Sequence, residues 1–224
     1  MCHAARVGSV ALLGDWLSYR FAATFSCPVL SMKSVCVFCG SQTGHNSVYE
    51  QTAQELGQLL ASRGIRLIYG GGNIGLMGIV ADAVLDAGGQ VIGVIPHALA
   101  EKEVAHLGLT ELMLVESMHD RKAKMADLAE GFIAMPGGFG TFEEFCEVLT
   151  WNQLGIHTKP CGVLNVAGFY NPFIELLDRA LAEGFLRSQH RQLVCVSDRP
   201  EDLLNQMGHS PSASGDKWLS PRES

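Results

Sequence analysis

The sequence predicts an α/β protein with a Rossmann-like, doubly wound parallel sheet in a single domain. Short, β-branched apolar runs recur along the chain, and amphipathic helical patterns fill the intervals between them. Strands that are apolar along their whole length need cover on both faces, which crossover helices on a parallel sheet provide. Composition agrees, since 224 residues with 47% hydrophobic and 17% charged residues are typical of one globular domain.

Seven runs are predicted strands. They span residues 35–38, 65–69, 91–95, 112–115, 132–135, 163–166 and 194–196. Leu56 and Leu60 share one face of a predicted helix after the first strand, and Met118, Met125 and Leu128 are expected to form the buried face of another. In open parallel sheets ligands bind beyond the carboxyl ends of the strands, so residues that follow the strands are candidate site residues.

The two ends of the chain differ from this pattern. Residues 1–31 lack the order of a signal peptide, and we expect an N-terminal extension that is disordered or precedes a functional start at Met32. Residues 32–207 form the predicted Rossmann-like domain. Residues 208–224, rich in Ser and Pro, are predicted to be a flexible tail.

Net charge narrows the classes of partner. Sixteen Lys and Arg against 23 Asp and Glu give a formal charge of −7, which opposes binding to nucleic acid but permits a small phosphorylated ligand held locally. The longest stretch without a charged residue, 34–49, is shorter than the ~20 apolar residues of a membrane span. We therefore expect neither a nucleic acid nor a membrane partner.

The seven cysteines are odd in number and scattered, a pattern typical of a reducing cytoplasm. Cys36 and Cys39 form a CxxC, but no second pair stands at zinc spacing and the segment resembles the end of a strand. We therefore predict a cytoplasmic protein without a metal site.

A first glycine loop, GGGNIGLMG at 70–78, formally matches GxGxxG. An NAD site requires an acidic residue near the end of the next strand to bind the ribose hydroxyls. That strand ends in Ile95-Pro96-His97, which disfavours NAD binding. The glycines suit a tight strand-to-helix turn that also forms a ligand wall. Candidate contacts here and after the first strand are Gly71, Gly72, Asn73 and Ser41.

A second loop, PGGFGTFEE at 136–144, follows the fifth strand. Its glycines let the backbone approach a ligand, and the helix that follows offers free N–H donors for a phosphate. No Lys follows the glycines, so this is not a P-loop. Thr141 and Glu144 also match a capping box, in which their side chains would only accept hydrogen bonds from the free backbone N–H groups of the helix terminus. Arg121, after the fourth strand, either belongs to a solvated helix face or reaches the same cleft as Glu144.

Four motifs in this order, GGGNIGLMG, SMHDRKAKM, PGGFGTFEE and TWNQLGIHTKP, resemble the Lonely Guy family of cytokinin riboside 5′-monophosphate phosphoribohydrolases, formerly labelled lysine decarboxylases. The resemblance implies a Rossmann-like homodimer or higher homo-oligomer. It also implies hydrolysis of the N-glycosidic bond of a nucleoside 5′-monophosphate, cytokinin-type or AMP, without metal or organic cofactor. Free base and ribose 5-phosphate would be the products.

The resemblance assigns the catalytic pair to Arg121 and Glu144. Substrate-binding positions fall on Glu103, Lys122, Gly137, Gly138, Phe139, Gly140, Thr141, Phe142, Glu143 and Thr150. Phe139, Phe142 and Asn152 depart from the common residues, which affects the expected base preference. Two alternatives stay open: a carrier that binds a nucleotide or phosphorylated cofactor without reaction, and a pyridoxal-phosphate decarboxylase, for which no Schiff-base lysine stands out.

Overall fold

The structure, a computed structural model, describes residues 32–100 and 105–209. The predicted extension at 1–31, most of the predicted tail and the candidate Glu103 lie outside the described residues. The proposed domain limits therefore stay a prediction.

Strands and helices alternate along the described residues. The strands are β1 (Ser34–Phe38), β2 (Arg66–Tyr69), β3 (Val91–Pro96), β4 (Glu111–Val115), β5 (Phe132–Ala134), β6 (Cys161–Leu164) and β7 (Val194–Ser197). The helices are α1 (Val48–Ser62), α2 (Gly75–Asp86), α3 (His97–Ala100), α4 (Met118–Leu128), α5 (Phe139–Gln153), α6 (Asn171–Ala182), α7 (Ser188–Arg191) and α8 (Pro200–Gly208). A 3₁₀ turn at Val166–Gly168 precedes α6.

The seven strands form one sheet in the order β4-β3-β2-β1-β5-β6-β7, and every pair is parallel. The predicted α/β class and Rossmann-like sheet are confirmed. The bounds of β6 differ, since the strand begins at Cys161 and Val166 belongs to the 3₁₀ turn. Gly162 lies in this strand because α8 packs on it: an added Cβ would lie 2.8 Å from Met207 Sδ.

Helices cover both faces of the sheet. Val35 and Val37 of β1 face a core shared with α1, α2 and α8, whereas Cys36 and Phe38 face a second core shared with α4, α5 and α6. Because successive residues of a strand point to opposite faces, a continuous apolar run serves both layers. None of the described helices combines the length and the apolarity needed to cross a bilayer.

The order of the strands reverses between β1 and β5. From β1 the chain proceeds outward through β2, β3 and β4, then returns to β5 on the other side of β1. The loops that leave β1 and β5 therefore diverge and open a crevice at the carboxyl edge. This is the position at which open α/β sheets bind ligands.

Candidate active site

The crevice between β1 and β5 is a cavity of about 330 Å³. Gly40 and Ser41, after β1, line one side, and Pro136, Gly137 and Gly138, after β5, line the other. The Gly40 N–H donates to the Pro136 carbonyl at 3.0 Å, and a Cβ on Gly40 would lie 3.2 Å from Gly137 Cα. Glycine at both positions lets the two loops meet. Tyr49, Leu76 and Phe169 complete the wall.

Helix α5 begins at the crevice. Gly138 is its N-cap, and no side chain caps it. The first turn of a helix presents unpaired N–H donors and about half a positive charge, which suits a phosphate. The predicted capping box is wrong, because the helix begins at Phe139 and Thr141 is its third residue rather than its cap. Thr141 is buried, and its Oγ1 occupies the space that a Cβ on Gly137 would need.

Arg121 lies beneath the same edge of the sheet. Ser117 caps α4 by accepting from the Asp120 N–H, and the helix turns Arg121 toward the ends of β2 and β3. The guanidinium donates from Nε to the Val94 carbonyl at 3.1 Å and from Nη2 to the Gly70 carbonyl at 2.9 Å. Two buried carbonyls therefore fix the plane of the guanidinium.

The buried face of α4 is therefore not the predicted one. Arg121 is 5% exposed, whereas Met118, expected in the core, is 41% exposed. Met125 is buried as predicted and Leu128 is partly buried. The solvated-face alternative for Arg121 is wrong.

Glu144 and Arg121 act on the same thiol. Burial raises the pKa of Cys36 well above its ordinary value, the charge of Glu144 raises it further, and the charge of Arg121 lowers it. Arg121 belongs to α4 and Glu144 to α5, and both helices pack on the face of β1 that carries Cys36. Glu144 is partly exposed, in the second turn of α5. The two predicted catalytic residues therefore lie on adjacent helices, which Lys122 of α4 joins through its contacts with Glu143 and Glu147 of α5. Their catalytic role stays a prediction.

Lys122 and Glu143, both predicted substrate contacts, form an ion pair with each other. Lys122 Nζ lies 2.6 Å from Glu143 Oε1 and 3.0 Å from Glu147 Oε1, which ties α4 to α5. Burial alone would lower the pKa of Lys122, but hydrogen bonds to the two carboxylates more than offset it and the pKa is raised. Lys122 therefore stays charged between α4 and α5.

The remaining candidates lie in different places. Ser41 borders the crevice, Gly140 and Glu143 are exposed on the first turns of α5, and Phe139 is 92% exposed. Phe142 stacks on Phe169, with ring centroids 6.4 Å apart.

Thr150 lies apart from the crevice. Twelve residues of helix separate it from Gly138, about 18 Å. It lines a separate cavity of about 160 Å³ between α5, α6 and α7, and its hydroxyl donates to the Cys146 carbonyl at 2.7 Å. Within one chain Thr150 does not reach the crevice.

The first glycine loop is mainly a turn. Gly71 has φ +76 and would place a Cβ 3.2 Å from Ile95 Cβ, so only glycine fits. Gly72 is buried and Asn73 exposed. Gly70 was not predicted as a site residue, yet its carbonyl holds Arg121. Tyr49 and Phe169 were also missed, since no local pattern links them to the crevice.

Neither thiol of the CxxC suits redox or metal chemistry. Cys36 and Cys39 are free and buried, and burial raises the pKa of both, with the charge of Glu144 adding to the effect. Both therefore stay protonated, whereas metal binding and disulfide exchange need a thiolate. Among residues 32–100 and 105–209, no group of three His, Cys, Asp or Glu side chains could hold a metal ion.

The sheet and its crevice define a Rossmann-like α/β protein in which a helix begins at the point where the strand order reverses. Residues 77–207 match the family model described as possible lysine decarboxylase. Over 186 residues the chain is 48% identical to a probable cytokinin riboside 5′-monophosphate phosphoribohydrolase of Oryza sativa subsp. japonica, covering 83% of each chain. A cytokinin riboside 5′-monophosphate phosphoribohydrolase of Arabidopsis thaliana is 47% identical over 172 residues, 77% of this chain and 81% of that protein. The chain belongs to this phosphoribohydrolase family, as its motifs predicted.

Solved structures share the fold at lower identity. A molybdenum cofactor carrier protein from Chlamydomonas reinhardtii superposes with a TM-score of 0.56 at 22% identity, over 76% of this chain and 92% of that one. A molybdenum cofactor binding protein from Rippkaea orientalis gives a TM-score of 0.56 at 23% identity, over 75% and 91%. At this identity the likeness is one of fold.

Proposed function

We propose that the protein hydrolyses the N-glycosidic bond of cytokinin riboside 5′-monophosphates, and of AMP, to free base and ribose 5-phosphate. Relatives named as cytokinin riboside 5′-monophosphate phosphoribohydrolases share nearly half of its residues over most of the chain. The observation that carries the proposal is the buried guanidinium of Arg121, which the Gly70 and Val94 carbonyls hold, together with the start of α5 at the crevice, which carries Glu144 in its second turn.

The helix geometry sets the spacing of the reaction. The 5′-phosphate would bind the N–H groups at the start of α5, next to Gly138 and Ser41. Glu144 follows Gly138 by six residues, about 9 Å along the helix, so that the sugar extends toward the carboxylate. Binding energy from the remote phosphate then holds the anomeric carbon in place.

The bond breaks through an oxocarbenium-like state. The C1′–N bond cleaves with its electron pair leaving on the base, and the Glu144 carboxylate stabilises the positive charge on the sugar. Glu144 takes a proton from a water whose oxygen adds to C1′, and the same proton then passes from Glu144 to the leaving base. Arg121, fixed by Gly70 and Val94, holds substrate and orients the carboxylate.

The lysines do not favour a pyridoxal-phosphate enzyme. An imine-forming lysine needs a lowered pKa, and the pKa of Lys122, which lies between α4 and α5, is raised. Burial lowers the pKa of Lys159, but this residue precedes β6 at the opposite edge of the sheet and donates to the Ala126 carbonyl. Absence of absorbance near 420 nm would exclude the cofactor.

We also propose a homodimer or higher oligomer. Helix α6 buries none of its residues fully, and Leu176 and the neighbouring Phe185 are 63% and 88% exposed. A second copy covering this face would bury them. Light scattering of the purified chain measures the mass directly, and a monomer at micromolar concentration would contradict this part of the proposal.

The test is release of base from defined substrates. Purified protein is incubated with AMP, N6-isopentenyl-AMP, the matching riboside and ATP, and free base is followed by chromatography. We expect cleavage of the monophosphates and not of the riboside. Binding of the monophosphates without release of base would favour a nucleotide carrier instead.

Two variants test the residue roles. Glu144→Gln and Arg121→Ala should each lower turnover at least 10²-fold, typical for loss of an electrostatic catalytic group, with an unchanged circular dichroism spectrum. The control is Glu55→Gln, which removes an exposed carboxylate from α1 and should retain wild-type turnover. Wild-type activity in either test variant would refute the assignment.

A further inference from the structure

A segment after α3 is fastened to the first glycine loop. Ala105 pairs with Gly72 in an isolated antiparallel bridge, and the backbone N–H of His106 donates to the Gly71 carbonyl at 3.0 Å. Glycine peptides have the widest conformational range of any residue, so a turn at 70–72 needs restraint from outside. The backbone at 105–106 supplies that restraint.

The side chain of His106 anchors this segment. The residue is 7% exposed, and its Nδ1 accepts the Gly108 N–H at 3.1 Å. A backbone N–H can only donate, so Nδ1 carries no proton and the ring proton lies on Nε2. Nε2 then donates to Asp82 Oδ1 at 2.8 Å. His106 thereby joins its own segment to α2.

The anchored turn in turn holds Arg121. The Gly70 carbonyl accepts from Arg121 Nη2, and the next carbonyl along the chain, that of Gly71, accepts from His106. Consecutive peptides share an α-carbon, so a shift of the Gly71 carbonyl rotates its neighbour as well. A continuous path runs from Asp82 through His106 and the glycine turn to the guanidinium.

We propose that His106, oriented by Asp82, is a positioning residue for Arg121. The inference rests on the proposed function, because it assigns His106 to the same reaction. The hydrogen bonds of His106 join it to Asp82, Gly108 and Gly71, and the residue does not line the crevice. It acts by holding the carbonyl that fixes Arg121, and a displacement of about 1 Å at such a group can cost up to 10²-fold in rate.

The first test separates turnover from substrate affinity. We expect His106→Ala to lower kcat for AMP about ten-fold with KM changed less than about two-fold, since the phosphate is held elsewhere. Asp82→Ala, which changes the exposed partner, should lower kcat in the same direction, and Asp82→Asn should restore it because its amide oxygen still accepts from Nε2. The two Asp82 variants keep the test valid if His106→Ala does not fold. The control, Arg63→Ala, removes hydrogen bonds to Asn205 and Glu201 at the opposite edge and should leave kcat unchanged.

The second test asks whether His106 acts through Arg121. In an Arg121→Lys background His106→Ala should lower kcat less than about two-fold, because the group to be positioned is gone. An equal loss in both backgrounds, or wild-type kcat in both His106→Ala and Asp82→Ala, would overturn the positioning role while the proposed function stands. A wild-type chain that releases no base from any monophosphate would overturn the proposed function first, and the positioning role with it.

Discussion

Arg121 occupies the space that a side chain on residue 70 would need. A Cβ built on Gly70 collides with Nη2 of the guanidinium and lies 3.0 Å from its Cζ. The same guanidinium donates to the carbonyl of Gly70, so the glycine both admits Arg121 and binds it. The first glycine loop therefore contributes to the proposed catalytic site by packing against Arg121 rather than by contacting substrate.

Gly70→Ala should therefore impair turnover. The added methyl group displaces the guanidinium from the Gly70 and Val94 carbonyls, and we expect kcat for AMP to fall about 10²-fold. The measurement is steady-state base release, normalised to folded protein.

The matched control inserts the same methyl group elsewhere. A Cβ on Gly57 would lie 2.6 Å from Ala83 Cβ, in the contact between α1 and α2. Gly57→Ala should cost about 1–3 kcal/mol of stability by overpacking and leave kcat of the folded fraction unchanged. Equal kcat in both variants would show that the position of Arg121 does not matter.

The pH dependence of stability should depend on His157. Burial and then the charge of Lys159 lower its pKa from 6.5 to about 4, and the ring packs on Phe132 with centroids 5.2 Å apart. A lowered folded-state pKa means that the unfolded chain binds the proton first as the pH falls. The contribution of the neutral ring is therefore complete above pH 6.5 and lost as the pH falls toward 4.

We expect urea unfolding to show this loss. Between pH 7 and 4.5 the wild type should lose about 2 kcal/mol that His157→Gln does not lose. His119→Gln, an exposed histidine of α4, should keep the wild-type pH dependence. Identical slopes for wild type and His157→Gln would contradict the buried, neutral ring.

Ala167 stores backbone strain. Its φ of +50 and ψ of +28 lie in the left-handed region. Among the residues that the structure describes, every other residue with a positive φ is a glycine. Asn tolerates this region better than Ala, so Ala167→Asn should raise the free energy of unfolding by about 0.5–1 kcal/mol.

The same substitution in a helix should act in the opposite direction. Ala180 lies in α6, where Ala167's strain is absent and Asn is a poorer helix former. Ala180→Asn should lower the free energy of unfolding by about 0.5 kcal/mol. Chemical denaturation of both variants checks the pair, and a destabilised Ala167→Asn would refute the strain.

The sheet was predictable because each strand has a local sequence pattern. Each is an apolar run, and the alternation with helical periodicity implies parallel order. The start of α5 was not predictable, since TxxE describes a capping box equally well. The structure excludes the capping box because Gly138 caps the helix and Thr141 packs against Gly137 inside its first turn. Thr141 can be buried because Gly137, four positions earlier, has no side chain and leaves room for the Thr141 hydroxyl.

The environment of Arg121 also lay beyond local pattern. A charged residue on a helix is expected in solvent unless partners are known. These partners are the carbonyls of Gly70, directly after β2, and of Val94 in β3, which only the assembled sheet brings together. The family motifs identified Arg121 where periodicity misplaced its neighbour Met118. Motifs therefore named the residue, and tertiary structure explains why it can be buried.

The crevice has consequences for biosynthesis, since β1 and β5 pair directly although β2, β3 and β4 intervene in the chain. A nascent polypeptide that has left the ribosome only as far as α4 has one lip of the crevice and no anion-binding helix terminus. Such long-range closure is slow relative to local helix formation. The unfinished enzyme should consequently be inactive toward nucleotides, and its activity should appear only once α5 and the later segment that carries Phe169 have both docked.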